Sequence, residues 1–426
     1  MAMKSEDNDL LTRVGPGTPM GGLLRQYWTP AIRSAALEAD GAPLIVRLFG
    51  QEFVAFRASD GRVGLLDEAC AHRGVSLALG RNEDNGLRCI FHGWKFDVTG
   101  SVVDAPAEPE ERRARFCAGI KVSRYATREA AGVVWVYVGK GEPPPFPEFE
   151  FNNLPPEQVY IRRAVVPYNW VQGLEAHLDS SHVGFLHSGW AAKESEGTEK
   201  RQREMINMMM ADKAPKFEMD DTAYGLRESA LRDMGDGTTY ARVREVVMPF
   251  HTFIPAPAKA HCSARISVPI DDETSAEWYV LYDPVGTLSP DIIRAFFFNT
   301  DPDPDDFAAN LGSKETLWGQ DREAMRNGHY SGLTRNVAFE DFIVQASMGR
   351  RFDRSKEQLG SADVIVVKAR RVLLDAVRAF QAGKPAPWNV GIDYAAIRAQ
   401  SLRYDGSRGW RDFAKGELIE EATHAQ

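Results

Sequence analysis

At 426 residues the chain is long enough for two or three domains with their own cores, and four cysteines are too few to staple a chain of that length. Its composition, 43% hydrophobic and 26% charged with 36 Gly and 24 Pro spread without a repeat or low-complexity tract, is that of an ordinary globular protein. A formal net charge of -9 argues against a nucleic-acid binder, because phosphate neutralisation needs a basic face, and no apolar run approaches the ~18 residues of a membrane span.

The start, MAMKSEDNDLLTRVGPG, is acidic and polar without an apolar leader segment, so a cytoplasmic location is expected. TPMGGLLRQYW then places Leu23, Leu24 and Tyr27 at helical spacing after a turn signal and predicts a short helix. From Pro43 the pattern changes to short alternating runs, LIVRLFGQEFVAFR and RVGLLDEACAH, with Gly50 and the triplet Ser59 to Gly61 at the turns. RCIFHGWKFDVTGSVVDAP continues this meander, and AGVVWVYVG is its last, buried strand. The proline-rich segment from Pro143 to Pro147 forbids both helix and ladder pairing and marks a boundary. Beyond it, strands (YARVREVVMPFHTFIP, SARISVPI, AEWYVLYDPVG, IIRAFFFN) mix with helices (NWVQGLEAHLDSSHVGFLH, NVAFEDFIVQASMG and a long one after Ser361). Ser361 can cap that last helix, Asp363 suits its positive end, and Gly383 with Pro385 stops it. The reading is an α+β protein: a helical segment over 1–39 packed on the later domain, a small all-β domain over 40–145, and a larger domain over 146–426.

Within the meander, Cys70 to Trp94 reads CAHRGVSLALGRNEDNGLRCIFHGW, which is C-x-H, sixteen residues, then C-x-x-H. Two thiolates and two imidazoles can hold a tetrahedral zinc or a [2Fe–2S] cluster. A Cys2His2 finger usually delivers ligands of one type together, whereas here Cys70 comes with His72 and Cys89 with His92. Two such loops can offer both cysteines to one iron and both histidines to the other, and neutral imidazoles in place of thiolates raise the reduction potential. Gly74, Gly93, Phe91 and Trp94 would shield the cluster while leaving backbone N–H groups for its sulfurs. Cys117 and Cys262 have no such company and read as small buried hydrophobes.

CAHRG followed by CIFHGWKFD resembles the Rieske domain of the ring-hydroxylating oxygenases. The resemblance implies a catalytic domain of helix-grip type, a curved antiparallel sheet wrapped by helices, with a mononuclear iron of its own. NWVQGLEAHLDSSHVGFLH carries His177, His182 and His187, three of the nine histidines. His182 and His187 are five residues apart, about 140° around a regular helix, so both can meet one metal only if the helix contains a π-type turn or ends between them. The D-x-x-H-x4-H pattern of Asp179, His182 and His187 resembles the family's iron site, in which two histidines and one carboxylate leave the opposite face open to dioxygen and substrate. The resemblance puts the carboxylate in NVAFEDFIVQASMG, where Asp341 is the choice and Glu340, about 100° away on the helix, is the competitor. Asp179, three residues before His182 and on the same face of a continuous helix, is by resemblance the bridge to a Rieske histidine of a neighbouring subunit. That implies a head-to-tail homotrimer or two stacked trimers.

From LTRVGPGTPMG to DRSKEQLG the chain is similar to the phthalate dioxygenase branch. This implies cis-dihydroxylation of an aromatic carboxylate such as phthalate, isophthalate, a chlorobenzoate or a phenoxybenzoate, with O-demethylation or other monooxygenation of an aryl substrate as the alternative. A carboxylate substrate needs cations in an apolar pocket, and Lys216, Arg242 and Arg244 are the candidates, the two arginines sharing one face of a strand. Lys216 stands where phthalate enzymes carry an arginine, a departure that counts against phthalate itself and leaves isophthalate, a chlorobenzoate or a phenoxybenzoate. SGWAAKESEGTEKRQREMINMMMADKA, with Met205, Met208, Met209 and Met210, reads as a flap over the site or as an ordinary surface loop and helix. No G-x-G-x-x-G follows a strand, so NADH is expected to be oxidised elsewhere, and the family resemblance implies a separate NADH-dependent flavin and iron–sulfur reductase as partner. A Rieske electron carrier without a second iron and a zinc-stabilised binding protein are the remaining classes.

Overall fold

Short alternating runs between glycine turns pair readily with their near neighbours, and the first third of the chain folds into small antiparallel sheets. The computed structural model describes residues 3–120, 122–190, 200–255, 262–288, 290, 293 and 306–413, with side chains from 206 onward in the helix that begins at 200. Strands β2 (Leu44–Leu48), β3 (Gln51–Arg57) and β4 (Val63–Asp67) form one sheet. A second comprises β5 (Arg81–Glu83), β6 (Gly86–Arg88), β7 (Lys95–Phe96) and β8 (Val102–Asp104). A core of Val54, Phe56, Leu66, Leu87, Trp94 and Phe96 encloses Cys70 and Cys89.

The third sheet joins β1 (Thr29–Arg33) to β10 (Val133–Tyr137) and β9 (Ala126–Ala130). Residues 29–33, expected in the helical segment, are therefore hydrogen-bonded to the last strand of the β region. Two helices went unsignalled, α1 (Ser5–Thr12) and α3 (Glu110–Gly119). The reason is physical: α3 buries only Cys117, and α1 only Asn8, Leu11 and Thr12, so neither has an apolar stripe to read. The expected helix at TPMGGLLRQYW is α2 (Pro19–Leu24).

The larger region is an eight-stranded antiparallel sheet. It runs β11 (Val159–Val166), β17 (Ser275–Tyr282), β16 (Cys262–Pro269), β15 (His251–Ile254), β14 (Thr238–Val247), β13 (Gly225–Asp233) and β12 (Lys216–Thr222), with β18 (Gln400–Asp405) beside β14. The expected strand IIRAFFFN falls almost wholly outside the described residues. Helix α4 (Trp170–Leu178) lies directly on the sheet at Gly173, where an added Cβ would stand 2.1 Å from Glu277 Oε1. In chain order, α5 (Lys200–Ala211), α6 (Arg322–Arg326), α7 (Val337–Ser347) and α8 (Val364–Gln381) complete the helices used below. Gly383, at φ 82°, follows α8 as expected, but Ser361 sits in a tight turn without a capping bond, and Asp363 instead accepts from the Gly360 N–H at 2.7 Å. No helix among the described residues is long and apolar enough to cross a membrane.

Buried polar groups hold α4 in place. Its N-cap Asn169 accepts from Val171 N–H at 3.1 Å and donates to the carbonyls of Thr12 and Asp272. Gln172 donates to the carbonyls of Gln345 and Gly349 at the end of α7 and accepts from Phe352 N–H. Burial alone would raise the Glu175 carboxyl, yet the guanidiniums of Arg354 and Arg370 hold it below its ordinary pKa. Arg354 is fully buried, grips Glu175 with two bonds of 2.8 and 2.9 Å, and also reaches Asn8 on α1. Arg354→Met leaves Glu175 with half of its compensation, so a loss of about 3–5 kcal/mol is expected; urea unfolding followed by tryptophan fluorescence measures it, and an unchanged midpoint refutes the assignment.

Candidate metal centres and active site

The two Cys/His loops are backbone copies of each other. Cys70 N–H donates to the Val75 carbonyl and Cys89 N–H to that of Trp94, both at 2.8 Å and both five residues on. Gly74 N–H returns to the Cys70 carbonyl and Gly93 N–H to that of Cys89, with both glycines at positive φ, 76° and 73°. At Gly93 a Cβ would in addition meet Pro106 Cγ at 2.7 Å. Each loop therefore turns its cysteine inward and its histidine outward: the cysteines are 3% exposed, whereas His72 and His92 are half-buried, with ring centroids 4.6 Å apart and His72 stacked on Trp94. Burial first, and then the neighbouring Cys89 thiol, raises the Cys70 thiol to about 11 despite backbone N–H bonds.

This donor set fits a two-iron cluster better than zinc. Ligands of a tetrahedral zinc stand about 3.3–3.8 Å from one another. Among the described residues, the set of three metal-binding side chains whose ligand atoms all lie within 4.8 Å is elsewhere, so no three of Cys70, His72, Cys89 and His92 close on a zinc-sized point. His92 Nδ1 is buried without a hydrogen-bond partner, a donor atom the fold leaves unused.

The convergent set is His182, His187 and Asp341. Asp341 Oδ1 lies 3.1 Å from His187 Nε2 and 3.5 Å from His182 Nε2. The two rings meet because α4 ends at Leu178, before either histidine, and a tight turn over His182–Gly184 re-aims the chain. The expected π-type turn or helix end between the two histidines is corrected in this way: the helix stops before both. The same change corrects Asp179, which is the extended C-cap (φ -75°, ψ 122°) and not a helical neighbour of His182. It still reaches the ring, with Oδ2 at 3.2 Å from His182 Nδ1, while Oδ1 accepts from Ser181 N–H.

Asp341 and Glu340 do not compete. Glu340 Oε2 lies 2.7 Å from His187 Nδ1, the far side of the ring from Asp341, and Glu340 Oε1 accepts from Ser331 Oγ at 2.5 Å. Burial would lower the His187 pKa, but these two carboxylates overcome it and push it up to about 9. A metal entering beside His187 Nε2 must therefore displace a proton.

The family models and relatives agree with this geometry. Residues 27–125 match the Rieske [2Fe-2S] domain, and 136–424 match the LigXa C-terminal domain like family. The chain is 38% identical over 422 residues to the phthalate 4,5-dioxygenase oxygenase subunit of Pseudomonas putida, covering 96% of this chain and 94% of that one. It belongs to the Rieske oxygenase family. The 3-chlorobenzoate-3,4-dioxygenase oxygenase subunit of Comamonas testosteroni is 36% identical, with 92% of each chain covered. Among solved structures, the terminal oxygenase of carbazole 1,9a-dioxygenase from Novosphingobium sp. KA1 superposes with a TM-score of 0.57 at 19% identity, covering 88% of this chain and 99% of that one. A Rieske oxygenase subunit is an oxidoreductase component and draws electrons from a separate reductase.

In this Rieske oxygenase subunit, His182, His187 and Asp341 line a cavity of about 110 Å³ that also receives Met209 from α5 and Arg242, Arg244 and Arg265 from the sheet. Trp190 and Met209, both from the stretch read as a flap or as a surface loop and helix, line the site, although Met205 and residues 191–199 lie outside the described side chains. Lys216 is corrected: it sits on the edge strand β12 with a side chain 74% exposed, pairs with Glu218 at 2.8 Å and does not reach the cavity. Arg244 lines the cavity, but its donors serve the end of α4, reaching the carbonyls of His177 and Leu178 and Ser180 Oγ. Arg242 is buried and donates to the Pro255 carbonyl at 2.9 Å. His177 stands apart from the metal set, 3.7 Å from Glu277, with burial lowering its pKa to about 3. Sequence reasoning missed the partnership of Glu340 with His187, although an acidic pair inside the apolar AFEDFIV was the available signal. Glu340→Gln keeps the shape but weakens the acceptor on His187; the affinity for mononuclear iron should fall about 10–100-fold with cluster sulfide unchanged, measured by chelator competition, and equal iron retention refutes the role.

Proposed function

We propose that the chain is the terminal oxygenase of a two-component system that cis-dihydroxylates an aromatic carboxylate. Cys70, His72, Cys89 and His92 hold the [2Fe–2S] cluster, and His182, His187 and Asp341 hold a mononuclear Fe(II). The observation that carries this reading is the convergence of two imidazoles and one carboxylate within 4.8 Å on the wall of a cavity that also contains buried guanidiniums. It is what an electron carrier without a second iron would lack. Ferrous iron bound by such a facial set supplies open positions for dioxygen.

The chain's own groups supply the rest. Glu340 and Asp179 fix the two rings from behind, so that both Nε2 atoms face Asp341. Met209 and Val337 keep part of the cavity wall apolar. The volume, about 110 Å³, is on the scale of one ring, since an engineered cavity of about 150 Å³ takes up benzene. The names of the two relatives, phthalate and 3-chlorobenzoate dioxygenases, support a single-ring aromatic acid.

Asp179 is partly exposed beside His182, and His72 and His92 are partly exposed beside the apolar side chains of Ile90 and Phe91, 57% and 51% exposed. A head-to-tail contact between copies would cover that apolar rim and let Asp179 accept from a neighbour's imidazole, closing as a homotrimer or stacked trimers. Electrons would come from an NADH-dependent flavin and iron–sulfur reductase, which fits a cytoplasmic enzyme.

Purified holoprotein should contain about three irons to two acid-labile sulfides, and His182→Ala should keep the cluster spectrum while losing aryl-acid hydroxylation; unchanged turnover removes the iron-site assignment. Asp179→Asn should retain both metals yet leave a reduced cluster unable to reoxidise on addition of substrate and dioxygen in a stopped-flow experiment. Reoxidation at the wild-type rate would take the bridging role away.

A further inference from the structure

Strand register delivers a cation to the cavity that no motif marks. Arg265 on β16 stands opposite Thr252 on β15 and Tyr279 on β17, and Ser263, two residues before it, stands opposite Ile254. Ile254 belongs to the row of Arg242 and Arg244, because Glu245 pairs with Phe253 and alternate residues share a face. Arg242 and Arg265 therefore enter the same cavity from the sheet, while the metal set enters from α7 and the turn after α4.

Arg265 is 7% exposed, and its guanidinium carbon lies 4.0 Å from the centroid of the Tyr279 ring. One Nη donates to the Ala264 carbonyl at 3.1 Å, and among the described residues no carboxylate lies within ion-pair distance of it. Of the other buried arginines, Arg354 and Arg370 grip Glu175 and Arg244 closes α4, whereas Arg242 on the same wall is, like Arg265, bonded to a backbone carbonyl. A guanidinium stacked on a ring is held in one plane and offers paired N–H donors with the spacing of a carboxylate. Desolvating such a group without an anion is costly, and a ligand that brings the anion removes that cost.

Resting on the aromatic-carboxylate reading above, we propose that Arg265 binds the carboxylate of the substrate, with the Tyr279 ring fixing the plane of its guanidinium. Arg242, hydrogen-bonded among the described residues to the Pro255 carbonyl, adds positive potential on the same wall. Arg265 would then set the preference for an acid over its uncharged analogue, a choice that the metal ligands cannot make.

The test uses full-length holoprotein and calorimetric titration with benzoate, 3-chlorobenzoate and phthalate, each against its carboxamide. The wild type should bind the best acid at least about 30-fold more tightly than the amide, the scale of a desolvated charge-assisted bidentate pair. In Arg265→Gln the acid should weaken by about that factor while the amide changes less than about threefold, with iron and sulfide content unaltered. A merely structural Arg265 would shift acid and amide together. If the wild type prefers the acid and Arg265→Gln keeps that preference, the role of Arg265 is overturned and the substrate class stands. If the wild type shows no preference, both fall. Should Arg265→Gln lack cluster absorbance, Arg265→Lys decides: it keeps the charge but not the fork, and acid affinity within about twofold of wild type overturns the proposal.

Discussion

Helix α4 is held from three sides by buried hydrogen bonds, and the position of its last turn governs the catalytic centre. Asn169 ties its start to the N-terminal segment, Gln172 ties its middle to the end of α7, and Glu175 is clamped by Arg354 and Arg370. Arg244 then takes the buried terminal carbonyls of the final turn. A helix end fixed in this way can stop before His182 without fraying, and the tight turn that follows brings His182 and His187 to Asp341. Gln172 bonds directly to the end of α7, so the helix that leads into the His182 turn is tied to the helix that carries Asp341.

The electrostatics around the cavity follow from burial. Burial lifts the Glu277 carboxyl to about 8 and that of Glu228 to about 7, and it lowers His177 to about 3. Burial thus favours the uncharged forms of Glu277 and His177, while, against the pull of burial, the carboxyls of Asp341 and Asp179 are held below their ordinary pKa by the imidazoles beside them. Each histidine has one nitrogen towards Asp341 and the other towards a separate carboxylate, Asp179 for His182 and Glu340 for His187. The cluster loops obey a different constraint: two equal backbone turns with positive-φ glycines present sulfur inward and imidazole outward.

Much of the site was legible because chemistry-bearing residues recur at short, fixed spacing. Cys70, His72, Cys89 and His92 announce themselves in one 25-residue stretch, and Asp341 lies in a helix whose apolar pattern is clear. The errors fall where local pattern is silent. Lys216 was a plausible cation on a strand until the sheet order put that strand at an edge. Arg244 was one until the last turn of α4 came to lie against it. Arg265, an arginine in the apolar run SARISVPI, carried a signal of its own, but nothing local says which neighbour it meets.

By itself the sequence determined the α+β class, and it singled out the two candidate metal sets and a candidate boundary near Pro143 to Pro147, since ligand type, hydrophobic period and proline chemistry are properties of the chain at short range. Only the tertiary structure decided that α4 ends before His182, that Glu340 supports His187 while Asp341 faces the metal position, and that Arg265 joins Arg242 in the cavity. Those facts depend on strand register and on which buried polar groups find partners. Both are fixed by contacts between residues up to hundreds of positions apart, as Arg354 with Asn8 and Glu175 illustrates, and no local spacing encodes them.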